Sequence, residues 1–480
     1  MVSLRKISVI VPIYNTRDYL DEAIQSVVSQ NIGFEDNIQL ILVNDGSTDG
    51  SEKICLKYKE LYSDNVVYIN KENGGVSTAI NVGLEYADGR YVAIMGSDDK
   101  WTEDAFKQGH DFFERHYDEI DVLGFRMRYF DARSDYHGLD YKFDGDKVVD
   151  ILKDYSYIQL HTSALIKREA IGELRFDENV KFSEDSKFLG TLILQKGKLG
   201  LISSAQYLYR RRTSALSAVQ ESAKDRAWYF DTPTSVYDYL IELSKQRFGR
   251  VISYVQYVIM YDLQYRLKEG LPNDFSDSEL ACYKRHIEVL LDQIDYEIIF
   301  AQKNLPLEYK LHTARMKYGG ESAPSIKIKS DELWFGDLVA LNVKDSPIRV
   351  IALRKSSSRL KIEGRTSIFM LLDKKTTRMY FLVGGSKNEL RKISLDYFLY
   401  PKSESFSLGE KLGTVQRFCA TLPAGEAEEA QLVVEDKAGR VVLDWELTES
   451  SGIRKKFKVL YCFYLACITI PGKIFRRHAV

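Results

Sequence analysis

The sequence predicts an α/β, doubly wound, mostly parallel sheet, followed by a helical region and a C-terminal β-sandwich-like domain. Three observations predict it. Between Lys6 and about Asp99, short β-branched runs alternate with segments of helical period, the pattern of parallel strands joined by crossover helices. From about Ala223 to Tyr318 the apolar spacing is helical. After Gly319, short strand-like runs recur between turn residues.

The elements follow in order. Ile7–Val11, Gln39–Val43, Val66–Ile69 and Tyr91–Met95 are continuous apolar runs, as buried parallel strands require. Between the first two, Leu20, Ala23, Ile24, Val27 and Val28 line one helix face, with Asn15 or Thr16 available as N-cap. Beyond Trp101 helices mix with strands such as Thr162–Lys167, which carries this domain over residues 1–222. In a helical region, 223–320, Val251, Val255, Val258 and Ile259 line one face and Ile287, Leu290, Leu291, Ile294 and Ile298 another. Ser276 and Glu279 form a capping-box pattern there, and the many tyrosines read as packing. Strand-like runs, Ser367–Leu372 and Arg378–Val383 among them, and a hairpin over Gln431–Trp445 fill 321–450, where no acid–base or metal constellation is visible.

The tail, 451–480, differs. An uncharged run from Val459 to Ile470 lies between Arg454, Lys455, Lys456 and Lys458 on one side and Lys473, Arg476 and Arg477 on the other. It is shorter than the roughly 18 to 20 residues that span a bilayer, so it predicts a segment lying in a membrane surface. The alternative is a terminal helix packed on its own chain or on a second copy.

Composition excludes several classes. A chain of 480 residues is too long for one core, and 45% hydrophobic with 28% charged residues is ordinary globular protein. A net charge of −2 supplies no field to recruit nucleic acid. The five cysteines are scattered without metal-ligand spacing, which predicts a reducing compartment. The first residues run into a strand and lack a secretory pattern, so the expected location is cytoplasmic.

Four segments carry chemistry. Asp45, in VNDGSTDGS, ends a strand where a carboxylate can accept hydrogen bonds from a base or ribose; the bland reading is a strand-end turn. Asp98 and Asp99, in GSDDK, place two carboxylates side by side at a strand end. Their repulsion is relieved by a cation, and hard oxygen ligands beside a diphosphate suit Mg²⁺ or Mn²⁺. A solvated turn before a helix near Thr102 is the alternative. Glu184 and Asp185, in SEDSKF, are read as a loop before an apolar segment. Asp185 can accept a proton from a hydroxyl while Glu184 orients it, although a helix N-terminus also favours acids. In YRRRTSALS, Arg210 and Arg212 suit phosphate oxygens, unless the loop is merely solvated. His161 is structural or lies near an acceptor.

As an ordered set over roughly the first 220 residues, these segments resemble the family 2 glycosyltransferases of GT-A fold. The resemblance implies that Pro12, Tyr14 and Asp45 surround a nucleotide base, with Asn73 and Gly74 lining the same pocket. Asp98 matches the metal end of the DXD-type motif and Asp185 the base of inverting enzymes. Arg210, Arg212 and Ser214 match a loop that covers the diphosphate. It implies metal-dependent, inverting transfer of a hexosyl or N-acetylhexosaminyl group from a nucleotide-sugar donor, uridine diphosphate-linked. The two later regions resemble extensions of bacterial enzymes that build cell-surface polymers, including wall teichoic acid glycosyltransferases. They imply a polysaccharide, teichoic acid or lipid-linked glycan acceptor and a homo-oligomer; the tail adds the expectation of a peripheral place on the cytoplasmic face of the membrane. Two positions depart from the pattern: Gly96 stands where the acidic stretch usually begins with Asp, and Ile80 where Arg is usual. They keep open a second class, a catalytically silent scaffold or glycan-binding protein.

Overall fold

The structure, a computed structural model, describes residues 5–212, 222–269, 271, 275–319, 323–324, 326–329, 332–342, 348–356, 358–366, 378–384, 390–408, 410–423, 431–435, 440–443 and 445–447. The tail from Ile453 to Arg477, Ser214 and the strand-like run Ser367–Leu372 lie outside them. Among the described residues, no helix is long and apolar enough to cross a membrane.

Strands β1 (Ile7–Ile13), β2 (Ile38–Asp45), β3 (Val66–Lys71) and β4 (Tyr91–Ile94) pair in parallel in the order β3-β2-β1-β4. Every residue of β2 is buried, which is why its middle, Leu40–Val43, is apolar without alternation. Helices α1 (Arg17–Val28), α2 (Phe34–Asn37), α3 (Ser51–Leu61) and α4 (Val76–Tyr86) make the connections. Helix α1 buries Leu20, Ala23, Ile24 and Val27, as its spacing predicts.

The sheet then becomes mixed. Beyond β4 come β8 (Ala164–Lys167), antiparallel to it, then β6 (Val122–Asp131) and β9 (Lys198–Arg211), which run parallel to each other. Strands β5 (Lys100–Trp101) and β7 (Lys147–Asp150) add to β9. Helix α5 (Ala105–Arg115), the short α6 (Arg168–Ile171) and α7 (Glu184–Lys196) complete this part. Because β8 runs opposite to β4, with Ala93 facing Leu165, the segment leading into β8 lies at the carboxyl end of β4.

This sheet ends with β9 at Arg211, but packing continues. The first compact unit takes in Met1–Arg266 and Pro272–Ile287. Helix α8 (Arg226–Thr232), a π-helical turn (Pro233–Tyr237), α9 (Asp238–Phe248) and most of α10 (Ser253–Lys268) belong with it. Helix α11 (Asp277–Asp292) opens on the expected capping box, with the Ser276 amide donating to Glu279 Oε2 at 2.9 Å and the Glu279 amide to Ser276 Oγ at 3.3 Å.

The second unit contains Glu288 onward. Helices α12 (Tyr296–Ala301) and α13 (Leu307–Tyr318) bring Tyr296, Phe300 and Tyr318 around Phe335. Two larger sheets put alternate residues into a common core. Leu360, Ile362, Phe418, Ala420 and Leu422 come from one; Met379, Phe381, Val383 and Leu432 come from the other. Such period-two burial from two facing sheets is the signature of a sandwich. The hairpin pairs Gln431–Glu435 with Arg440–Leu443.

Candidate active site

The acidic segments meet at the carboxyl ends of the parallel strands, where an open α/β sheet leaves a crevice. The ends of β1 and β2 are knitted together. Asn15, at a left-handed φ of 52°, donates its amide to Ser47 Oγ at 3.1 Å and accepts from the Thr48 amide at 2.9 Å. Thr16 occupies the N-cap position of α1, but its side chain does not cap the helix. Its hydroxyl turns to Ser97 Oγ (2.9 Å), and Asp49 takes the Arg17 amide at 2.8 Å. The cap therefore comes from a residue 32 positions away, which local spacing cannot reveal. Pro12 is half-buried on β1 opposite Val43, and Tyr14 presents its ring to solvent, 54% exposed.

Asp45 sits at the end of β2, only 3% exposed. The sequence reading has it accepting from the nucleotide; here the chain supplies donors first. Oδ1 accepts from Lys71 Nζ (2.6 Å) and the Gly74 amide (3.0 Å), and Oδ2 from the Gly75 amide (2.9 Å). Asn73 Nδ2 donates to the Asp45 carbonyl at 2.9 Å. Asp45 thus shapes the loop that carries Asn73 and Gly74. Lys71, which the sequence reading passes over, is its counter-ion; its place at the end of β3, parallel to the end of β2, was the available signal. Ile80, in the usual arginine position, is buried in α4.

The two carboxylates after β4 part company. Asp98 Oδ2 accepts a fork from Arg212, at 2.8 Å from Nε and 2.5 Å from Nη2. Asp99 turns inward: Tyr207 OH donates to Oδ2 at 2.6 Å and the Arg210 amide to Oδ1 at 2.8 Å. Burial, and then the charge of Asp98, push Asp99 up to about 7. Both Asp99 oxygens serve the fold, so the expected two-carboxylate metal pair is reduced to Asp98. Gly96 belongs to the same arrangement, because a Cβ there would stand 2.6 Å from Asp99 Oδ2. An Asp at this position would collide with the inward-turned Asp99.

Arg210 is likewise committed. It is 9% exposed, donates Nε to the Asp98 carbonyl at 2.8 Å, pairs with Asp131 (3.3 Å) and Glu22, and lies over Phe130. The sequence reading makes it a phosphate arm; its own burial and its four partners within the chain fit a strut. Arg212, stacked 4.6 Å over Tyr19 and partly exposed, is the arginine left at the rim.

Glu184 and Asp185 open α7 rather than ending a loop, as a helix N-terminus favours. Asp185 Oδ1 accepts from the Ser186 amide at 2.8 Å, and Oδ2 lies 3.5 Å from His161 Nδ1. Asp185 is 25% and His161 41% exposed, so both reach the crevice. His161 is held from behind: Gln159 Nε2 donates to its carbonyl at 2.7 Å, and Lys142 Nζ donates to Gln159 Oε1 at 2.6 Å. Burial pushes Lys142 down to about 7 and, with help from His161, pushes His137 down to about 2. His161 precedes β8 and therefore stands at the same sheet end as Asp98. The fold brings Asp98 and Asp185 to one edge through this strand.

Burial, and then the charge of Asp185, push Glu184 from 4.5 up to about 8. Between those values the folded protein binds the proton that the unfolded chain has lost, so stability falls as pH rises. We expect the melting temperature to fall from pH 5 to pH 8 and Glu184→Gln to flatten that slope. Parallel slopes for the two proteins in thermal melts would contradict the assignment.

Among the described residues, no cluster of three or more His, Cys, Asp or Glu could hold a metal by itself. Mg²⁺ is commonly held by one or two carboxylates together with substrate phosphates. A single rim carboxylate, Asp98, fits a cation that arrives with a diphosphate. Ser214 is outside the described residues.

A family model described as Glycosyl transferase family 2 matches residues 8–175. Over 425 residues the chain is 33% identical to the minor teichoic acid biosynthesis protein GgaB of Bacillus subtilis strain 168, covering 87% of this chain and 46% of that protein. It therefore spans less than half of GgaB. Against GgaA of the same organism it is 32% identical over 320 residues, 63% of this chain and 70% of the other. The crystal structure of S. aureus TarS is similar in fold, with a TM-score of 0.60 at 14% identity, over 93% of this chain and 79% of that one. By these matches, and by a GT-A sheet with its acidic residues at the strand ends, the chain belongs to the family 2 glycosyltransferases.

Proposed function

We propose that this protein is an inverting glycosyltransferase, moving a sugar from a uridine diphosphate donor to a hydroxyl of a teichoic acid or related cell-envelope polymer. The acceptor class is supported by the relatives, whose names are those of minor teichoic acid biosynthesis proteins. The observation that carries the mechanism is the pairing of a partly exposed carboxylate, Asp185, with His161 at the sheet end where Asp98 and Arg212 also stand.

The nucleotide lies along the loops of Pro12, Tyr14, Asn73 and Gly74, with the exposed Tyr14 ring available for stacking. Asp45 keeps the Asn73–Gly75 backbone in place. Asp98 would hold Mg²⁺ or Mn²⁺, which when bound offsets charge on the diphosphate. Arg212 then turns its fork from Asp98 to a phosphate oxygen, while Arg210 supports the loop. Asp185 takes the acceptor proton; the acceptor oxygen bonds to the anomeric carbon from the face opposite the diphosphate. The carbon–phosphate-oxygen bond breaks, UDP leaves, and the anomeric configuration inverts. Burial and the charge of Asp185 favour the protonated form of Glu184, so Asp185 is the carboxylate of the pair that takes the proton. The reading extends to the cytoplasmic face of the membrane, supported by the basic and apolar sequence of the tail.

The test is a panel of sugar nucleotides with manganese, scored by release of the nucleoside diphosphate with and without teichoic acid. One UDP-sugar is expected to be turned over, faster with polymer present. Binding of UDP without turnover of any sugar nucleotide would favour a silent scaffold.

A further inference from the structure

We propose that the helices following the sheet brace the base: Asp262 on α10 fixes Ser183, and through it the direction in which Asp185 points. This rests on the reading of Asp185 as the base.

Ser183 is the residue from which α7 starts, and its backbone is left-handed, at φ 64° and ψ 24°. A residue with a Cβ holds that conformation only when its surroundings impose it. Here they do. Ser183 Oγ donates to Asp262 Oδ2 at 3.1 Å, and Tyr237 OH donates to the same oxygen at 2.5 Å. Arg266 lies 3.0 Å from it, with no exposed side-chain surface. Arg266 is held in turn, donating Nη1 to Tyr237 OH and Nε to the Trp228 carbonyl, both at 2.7 Å. Thr232 donates to the Phe182 carbonyl at 3.3 Å, so the residue before Ser183 is tied to the same helices.

A second contact on α7 points the same way. A Cβ at Gly190 would stand 2.9 Å from Leu240 Cδ2, so α9 lies against α7 with no room for a side chain. Helix α7 is therefore gripped at its start and along its length by residues beyond the sheet.

The consequence for chemistry is geometric. Rotation about Ser183 swings both Glu184 and Asp185, and the bonds of Asp185 to Ser186 and His161 do not set how the backbone enters the helix. A base must stand within hydrogen-bond reach of its proton, and about 1 Å of displacement costs on the order of 10²-fold in rate. Asp262, Tyr237 and Arg266 touch no donor atom in this mechanism. They are positioning residues.

The experiment uses the full chain and compares Ser183→Ala, Asp262→Ala, Asp262→Asn and Asp185→Asn. UDP affinity with manganese is measured by calorimetry, kcat and donor KM on the UDP-sugar found by the panel, and melting by scanning. Ser183→Ala and Asp262→Ala are expected to lower kcat by about tenfold or more, with UDP affinity and donor KM within about twofold of wild type. Asp262→Asn, whose amide oxygen still accepts from Ser183, is expected to recover most of the loss. Wild-type kcat in Ser183→Ala and Asp262→Ala, beside an inactive Asp185→Asn, would overturn the brace alone. Parallel loss of kcat, UDP affinity and melting temperature would reduce it to a folding role and also overturn it. Should Asp262→Ala fail to fold, Ser183→Ala decides, since it removes only a hydroxyl. Full turnover by Asp185→Asn would remove the base reading, and this inference with it.

Discussion

Asp185→Asn is expected to lower the rate of sugar transfer by about 10²–10⁴-fold, the usual contribution of a general base. Asparagine has the shape of aspartate and can keep the bond from the Ser186 amide, so α7 should start in the same place. What it cannot do is accept a proton from a hydroxyl. The loss should therefore appear in kcat, with UDP affinity unchanged, because the proposed function puts the nucleotide on the loops after β1, β2 and β3. Single-turnover transfer and calorimetry on the same preparation would check this. Transfer at wild-type rate would require another base, and Glu184 would then be examined first.

The second large effect is expected at Asp98. Asp98→Asn should lower manganese-supported turnover by about 10²–10³-fold, the scale of losing one preorganised partner of a developing charge. Two consequences combine. The carboxylate that would hold the cation is gone, and Arg212 loses the anion on which its fork is aligned. Titrating activity with manganese separates them, since the metal requirement should rise if Asp98 is a ligand. An unchanged manganese dependence would leave Asp98 as the counter-ion of Arg212 alone.

Much of the sheet was legible because buried parallel strands are apolar on both faces, as the runs Val9–Ile13 and Leu40–Val43 are. The face of α1 was legible for the same reason, as was the capping box at Ser276, whose partners are three residues apart. The N-cap position at Thr16 was legible, but not that Asp49, from another loop, takes the first free amide in place of the Thr16 side chain. The partners of Arg210 and Asp99 within the chain were not legible for a related reason. A strand end shows which side chains are present but not which of two neighbours turns inward. For Asp99 that choice is made by Tyr207 on β9, 108 residues away.

The sequence by itself determined the alternation of strands and helices, the family, and the acidic residues at the strand ends, because burial and turn chemistry act over a few neighbouring residues. Only the tertiary structure decided how those residues divide their tasks. It turned Asp99 and Arg210 into supports, left Asp98 and Arg212 at the rim, and set His161 beside Asp185. It also gave the helices beyond residue 222 a hold on Ser183. Those assignments depend on which distant donor reaches a carboxylate first, and that is a property of packing in three dimensions.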